Sequence, residues 1–99
     1  MSPEIQIRFL IANLGSEVLR GLSLYEHTGK EELARSLARS FAICQRLRAL
    51  PLSSSAAKEV AIIEEELRAM QRGEFHDGKE SWEKYFNPFA LRITAGLVA

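Results

Sequence analysis

Apolar residues recur every three or four positions along the first quarter of the chain, which is the spacing of one face of an α-helix. The members of this stripe are Ile7, Ile11, Leu14, Val18 and Tyr25, with Gly21 at the remaining position. Ser2 is placed to cap a helix, and Pro3 suits the first helical position. The pattern therefore predicts a first helix from Pro3 to about His27.

Two glycines, Gly15 and Gly21, fall inside this predicted helix. Each costs about 1 kcal/mol relative to alanine in a helix interior, so each needs a compensating reason. Two interpretations are open: a neighbouring helix approaches closely at the glycines, or the helix breaks at Gly15 and Ser16 caps a second segment. We favour one continuous helix.

The same periodicity predicts two more long helices. The second runs from Lys30 to Leu50 and ends before Pro51, since proline disfavours helical geometry in the preceding residue. Its stripe consists of Leu33, Leu37, Phe41, Cys44 and Leu47. The third follows the polar segment 53–55 and ends at Gly73. Its stripe consists of Ala56, Val60, Ile63, Leu67 and Met70. Because the connections are short, neighbouring helices should be antiparallel.

The last quarter of the chain combines a helical stripe with a proline. Trp82, Phe86, Phe89, Ile93 and Leu97 share one helical face. Asn87-Pro88 interrupts it, which predicts a short helix to Phe86, a bend and a second short helix. The predicted fold is an all-α, up-down antiparallel bundle of three long helices plus a bent C-terminal helical segment, with residues 1–99 as one domain.

Composition limits the classes of function. Thirteen basic and thirteen acidic residues cancel, which argues against a protein that mainly binds phosphates or an anionic membrane. Cys44 is the single cysteine and lies on an apolar stripe, so we expect a buried, inert thiol in a reducing compartment. The segment 1–4 lacks the basic and apolar pattern of a secretory signal. These features predict a soluble, cytoplasmic protein without a membrane span.

Arginines provide one candidate binding face. Arg35, Arg39 and Arg46 fall within about 40° of one another on the second helix, and the hypothesis of an anion-binding face also includes Arg48. One interpretation is an anion or nucleic-acid contact made by these four residues. We favour the other interpretation, in which the arginines form a solvated face or pair with the acidic third helix, because the chain has no net charge.

Catalytic and metal-binding patterns are weak. His27 and His76 are far apart, and no Glu/His pair has the spacing of a metal-binding helix. The tract Glu64–Glu66 could offer carboxylates to Mg²⁺, but consecutive helical residues point in different directions. A small Mg-dependent bundle enzyme is therefore a third hypothesis, and the sequence predicts no cofactor and no metal site.

Apolar residues outside the stripes favour a binding role. These residues are Leu22, Leu24, Ile43, Ile62, Leu91 and Leu97-Val98. Helices that are apolar on more than one side are usually buried on more than one side, which in so short a chain indicates a second copy or a partner protein. The aromatic C-terminal segment either closes the end of the bundle or forms a partner-facing patch. We predict an interaction module, a homodimer, with these contact residues: Trp82, Tyr85, Phe86 and Phe89.

Overall fold

A computed structural model of the chain describes residues 2–28, 30–74 and 78–96. These residues form four α-helices and no strand: α1 (Pro3–Thr28), α2 (Lys30–Arg48), α3 (Ser54–Gln71) and α4 (Gly78–Gly96). The all-α bundle predicted from the sequence is confirmed, and the three long helices begin and end close to the predicted residues.

The helices form a ring in which each packs against two others. α1 contacts α2 and α4, and α3 contacts the same two helices from the opposite corner. The direction of packing is read from the contacts: Gly21 lies against Ser36, whereas Glu17, one turn earlier in α1, pairs with the later residue Arg39. α1 and α2 are therefore antiparallel, as the short connection predicts.

The predicted apolar stripes converge on one core. Val18, Cys44, Val60 and Leu67 have no measurable exposure. The remaining buried apolar residues are Ile7, Leu10, Ile11, Leu14, Leu22, Leu33, Leu37, Leu47, Ile63, Met70, Trp82, Phe86, Phe89 and Ile93. Every helix contributes one face, so the hydrophobic burial that stabilises the fold is shared by all four.

Local signals fix the helix ends. The hydroxyl of Ser2 accepts the backbone N–H of Ile5 at 3.3 Å, and the hydroxyl of Ser53 accepts that of Ala56 at 3.1 Å. Both are N-cap hydrogen bonds that satisfy otherwise unpaired donors. Gly73 has φ = 77° and follows the last turn of α3, where a left-handed residue lets the chain leave the helix.

α1 is continuous through both glycines, so the interpretation of a break at Gly15 is wrong. A Cβ at Gly15 would overlap the ring of Phe86 in α4, and one at Gly21 would overlap the side chain of Ser36 in α2. The glycines are therefore the points at which two neighbouring helices approach α1. The hydroxyl of Ser36 also donates to the backbone carbonyl of Glu17, which joins α1 to α2 at the same level.

α4 is a single helix with Pro88 inside it, so the predicted division into two short helices is wrong. Proline removes one backbone hydrogen bond, but Asn87 and Pro88 are both exposed, and water can solvate the carbonyl that loses its partner. Continuing the helix keeps Phe89 and Ile93 on the buried face that begins at Trp82. Their burial offsets the cost of the proline.

We expect Gly21→Ala to lower the free energy of unfolding by about 1–2 kcal/mol. The added methyl group gains helix propensity but overlaps both Cβ and Oγ of Ser36, and Cβ cannot rotate away. Urea unfolding followed by circular dichroism measures the effect.

The control for this prediction is the same substitution in a Ser36→Gly background. There the overlap is relieved, so Gly21→Ala should become neutral or stabilising, with a coupling energy of about 1 kcal/mol or more. An equal cost in both backgrounds would contradict the close contact.

Candidate functional site

Two large apolar side chains on α1 point away from the bundle. Ile5 is 55% exposed and Phe9 is 59% exposed. On a helix with 100° per residue they lie on the side opposite the buried residues Ile7 and Leu14. Single exposed apolar residues are ordinary, but a pair spaced i,i+4 forms a contiguous patch. Among the described side chains of α1, this pair is the most exposed apolar feature.

A shallow groove runs beside this patch between α1 and α4, with a volume of about 220 Å³. Its walls are formed by Ala12, Gly15, Ser16, Leu19, Trp82, Glu83, Phe86 and Asn87. We call it the α1–α4 groove. The missing side chain at Gly15 lets the ring of Phe86 lie against the α1 backbone, and the Trp82 ring stacks on Phe86 with centroids 5.1 Å apart. The floor of the groove is therefore aromatic and held in place.

The aromatic residues predicted to contact a partner are mostly interior. Trp82, Phe86 and Phe89 are 3%, 7% and 1% exposed. They close the bundle between α1 and α4, which is the first of the two roles that the sequence allowed. They do not form an exposed patch, although Trp82 and Phe86 border the α1–α4 groove. Tyr85 lies in α4, but its side chain is outside the described part of the structure.

The surplus apolar residues divide into three groups. Leu22 is buried, and Ile43 is half-buried against the core. Ile62 and Leu91 are 49% and 70% exposed on α3 and α4. The side chains of Leu24, Leu97 and Val98 lie outside the described residues. The prediction missed Ile5 and Phe9, which a helical projection of α1 would have placed opposite its main stripe.

The four arginines of the candidate anion face do not form one surface. Arg35 pairs with Glu32 of its own helix, Arg39 with Glu17 of α1, and Arg48 with Glu64 of α3. The ion pair predicted between α2 and the acidic helix α3 therefore exists for Arg48. Arg46 has no ion pair among the described residues. With Arg39, it borders a groove between α1 and α2 that is described below.

The carboxylates of the acidic tract Glu64–Glu66 in α3 do not point toward one site. Glu64 is nearly buried and accepts a hydrogen bond from Nε of Arg48 at 2.6 Å, whereas Glu65 pairs with Arg68 at 2.5 Å on the surface. Across residues 2–28, 30–74 and 78–96, no three His, Cys, Asp or Glu side chains lie close enough together to hold a metal ion. His27 and His76 have side chains outside the described part. The geometry therefore gives the Mg²⁺ hypothesis no support.

Cys44 has no exposed surface, and burial raises the pKa of its thiol from 9.0 to about 12. The nearby carboxylate of Glu64 raises the pKa further, because it disfavours a second negative charge. The thiolate is the nucleophilic form, so this side chain is an apolar core residue rather than a reactive group.

Comparison of the chain with protein-family models, with curated proteins and with solved structures finds no match. Among the described residues, no helix is both long enough and apolar enough to cross a membrane.

We expect the raised pKa of Cys44 to appear as a loss of stability at alkaline pH. Below pH 9 the thiol is neutral in both states, and its contribution is fully present. Between pH 9 and about 12 only the unfolded chain ionises, so stability falls by about 1.4 kcal/mol per pH unit. The measurement is urea unfolding of the wild type and Cys44→Ala at pH 8 and pH 10.

Other groups also titrate in this range, so the difference between the two proteins is the informative quantity. The stability advantage of the wild type over Cys44→Ala should shrink by about 1 kcal/mol between the two pH values. A constant difference would show that the folded thiol titrates normally.

Proposed function

We propose that this protein is a helical interaction module that forms a homodimer through the outer surface of α1 and α4. The observation that carries the proposal is Phe9, a large apolar side chain with 59% of its surface exposed, about one helical turn from Ala12 at the edge of the α1–α4 groove. Buried apolar area contributes about 25 cal/mol per Å², and aromatic residues supply much of the anchoring energy at interfaces. The class of function is thus binding rather than catalysis.

A second copy of the chain fits this surface because the surface is self-complementary. Two-fold dimers use the same patch on both subunits, so the patch must contain both a projection and a recess. Phe9 is the projection. The α1–α4 groove is the recess, and its aromatic floor offers rings against which a phenylalanine side chain can pack. In the dimer, Phe9 of each copy enters the groove of the other.

The positions along α1 suit an antiparallel pairing of the two copies. Phe9 and the groove residue Ser16 are separated by about 10 Å along the helix axis. A two-fold rotation that makes the two α1 helices antiparallel places Phe9 of each copy at the height of Ser16 of the other. Both Phe9–groove contacts therefore form together. Ala12, an exposed residue between them, is small enough to let the two α1 helices approach.

The neighbouring surface extends the contact to a size typical of dimers. In the antiparallel packing of α1 and α4, Ile7 and Ile93 border the same cavity at one end of the bundle, so Leu91 lies near the level of Phe9. Leu91 and Ile5 are both more than half exposed and flank the central contact. Two adjacent helices about 10 Å apart provide an area on the order of the 800 Å² that each partner buries in a standard interface.

We expect Phe9→Glu to convert the dimer to a monomer, because the charge cannot be buried in an apolar groove. The dissociation constant of the dimer should rise at least about 30-fold, as for other central aromatic anchors. Sedimentation equilibrium or light scattering over a concentration series measures this. Ile62→Glu is the matched control: it makes the same kind of change at an exposed apolar site on α3, and the variant should remain a dimer.

A complementation experiment tests the projection and the recess separately. Asn87→Arg places a long charged side chain in the α4 wall of the groove and should also give a monomer. A mixture of Phe9→Glu and Asn87→Arg chains retains one intact contact and should form a weak heterodimer. A wild-type protein that stays monomeric at high concentration would overturn the proposal. Loss of the dimer in Ile62→Glu but not in Phe9→Glu would overturn the choice of surface.

A further inference from the structure

A second groove, between the outer sides of α1 and α2, concentrates arginine side chains. It has a volume of about 490 Å³, and Arg20 from α1 faces it together with Arg39 and Arg46 from α2. The polar residues Asn13 and Ser16 and the apolar residues Ala42 and Ile43 complete the walls. We call it the α1–α2 groove. The sequence pattern on α2 did not indicate Arg20, because only the packing of the two helices brings it there.

The groove carries a local positive charge that the described residues around it do not neutralise. Glu17 is its only acidic residue, so three guanidinium groups and one carboxylate leave a formal charge of +2. Glu17 is engaged by Arg39. Within the described part of the chain, neither Arg20 nor Arg46 has a carboxylate at ion-pair distance. A net charge of +2 in one groove contrasts with a whole chain whose formal charge is zero.

From this geometry we propose that the α1–α2 groove binds a small phosphomonoester that carries an apolar group. A phosphomonoester has a charge of about −1.5 to −2 at pH 7, which matches the local excess. Arginine presents several N–H donors in a planar fork suited to phosphate oxygens. Asn13 can donate further hydrogen bonds, and Ile43 offers an apolar wall for the substituent. The volume lies in the range of small-molecule sites.

Glu17 acts as an internal competitor for the ligand in this site. Its carboxylate occupies Arg39 in the unliganded protein, and its side chain is only 16% exposed. A phosphate group that engages Arg39 must displace or share this contact. Removing the charge of Glu17 should therefore strengthen anion binding, whereas removing the charge of an arginine should weaken it. A general effect of surface charge would give the same two signs, so an arginine outside the groove serves as the control that separates a site from overall charge.

The probes for this proposal are inorganic phosphate, phenyl phosphate and benzyl alcohol, added at constant ionic strength and followed by calorimetric titration and thermal unfolding. We expect phenyl phosphate to bind more tightly than inorganic phosphate and benzyl alcohol not to bind. At saturating phenyl phosphate, the Tm should rise by about 5 °C or more. Binding should weaken below about pH 6, where the phosphomonoester loses its second charge.

Substitutions assign the binding to the groove. Arg20→Gln and Arg46→Gln should each weaken phenyl phosphate binding by about tenfold or more, and Glu17→Gln should strengthen it. Arg8→Gln is the matched control, since Arg8 is an exposed arginine of α1 outside the groove and should leave binding unchanged. Circular dichroism verifies that each variant is folded.

Two results would overturn the proposal. One is equal binding of phenyl phosphate by the wild type and Arg46→Gln, which would place the anion elsewhere. The other is an equal loss in Arg8→Gln and Arg46→Gln, which would reflect overall charge rather than a site. Ser16 borders both grooves, so light scattering with and without phenyl phosphate accompanies the titration and reports the dimer separately from the ligand.

Discussion

The rest of the structure depends on how closely two helices can approach α1. Gly21 admits α2, whose Ser36 hydroxyl donates to an α1 backbone carbonyl, and Gly15 admits the aromatic ring of Phe86 from α4. A side chain at either position would hold the neighbouring helix away and open the core, which is close-packed in folded proteins. The cost of two glycines inside a helix is therefore offset by contacts that no larger residue permits.

The approach of α4 to α1 also determines the character of the protein's surface. Because Phe86 lies over Gly15, the side chains of Trp82, Phe86 and Phe89 are buried where α4 packs against the bundle. The apolar residues left outside are therefore others, above all Phe9 on α1. The α1–α4 groove near Phe9 exists because Ala12 and Gly15 have side chains too small to fill the space beside the Trp82 and Phe86 rings. The proposed dimer thus follows from the same small residues that allow the bundle to pack.

Three of the seven ion pairs among the described residues link different helices. Arg48 with Glu64 joins α2 to α3, Arg92 with Glu59 joins α4 to α3, and Arg39 with Glu17 joins α2 to α1. Most of the arginines in these pairs are half-exposed, and such pairs contribute little to stability. Arg39 and Glu17 also border the α1–α2 groove, where Arg20 and Arg46 add two guanidinium groups that have no ion pair among the described residues.

The sequence by itself determined the three long helices α1, α2 and α3. The spacing of apolar residues, the N-caps and the helix-ending residues Pro51 and Gly73 act locally, so they can be read directly from the order of residues. It also determined that Cys44 is interior, since the thiol shares the apolar stripe of α2. Tertiary structure decided what Gly15, Pro88 and Arg20 do. Gly15 makes room for Phe86, which is 71 positions later in the chain. Pro88 is tolerated because a continuous α4 keeps its buried face aligned with α1. Arg20 comes close to the arginines of α2 only when the two helices pack. Each of these three roles depends on which helix faces pack together. The periodicity of one helix shows which of its faces is apolar, but it does not show which other helix packs against that face.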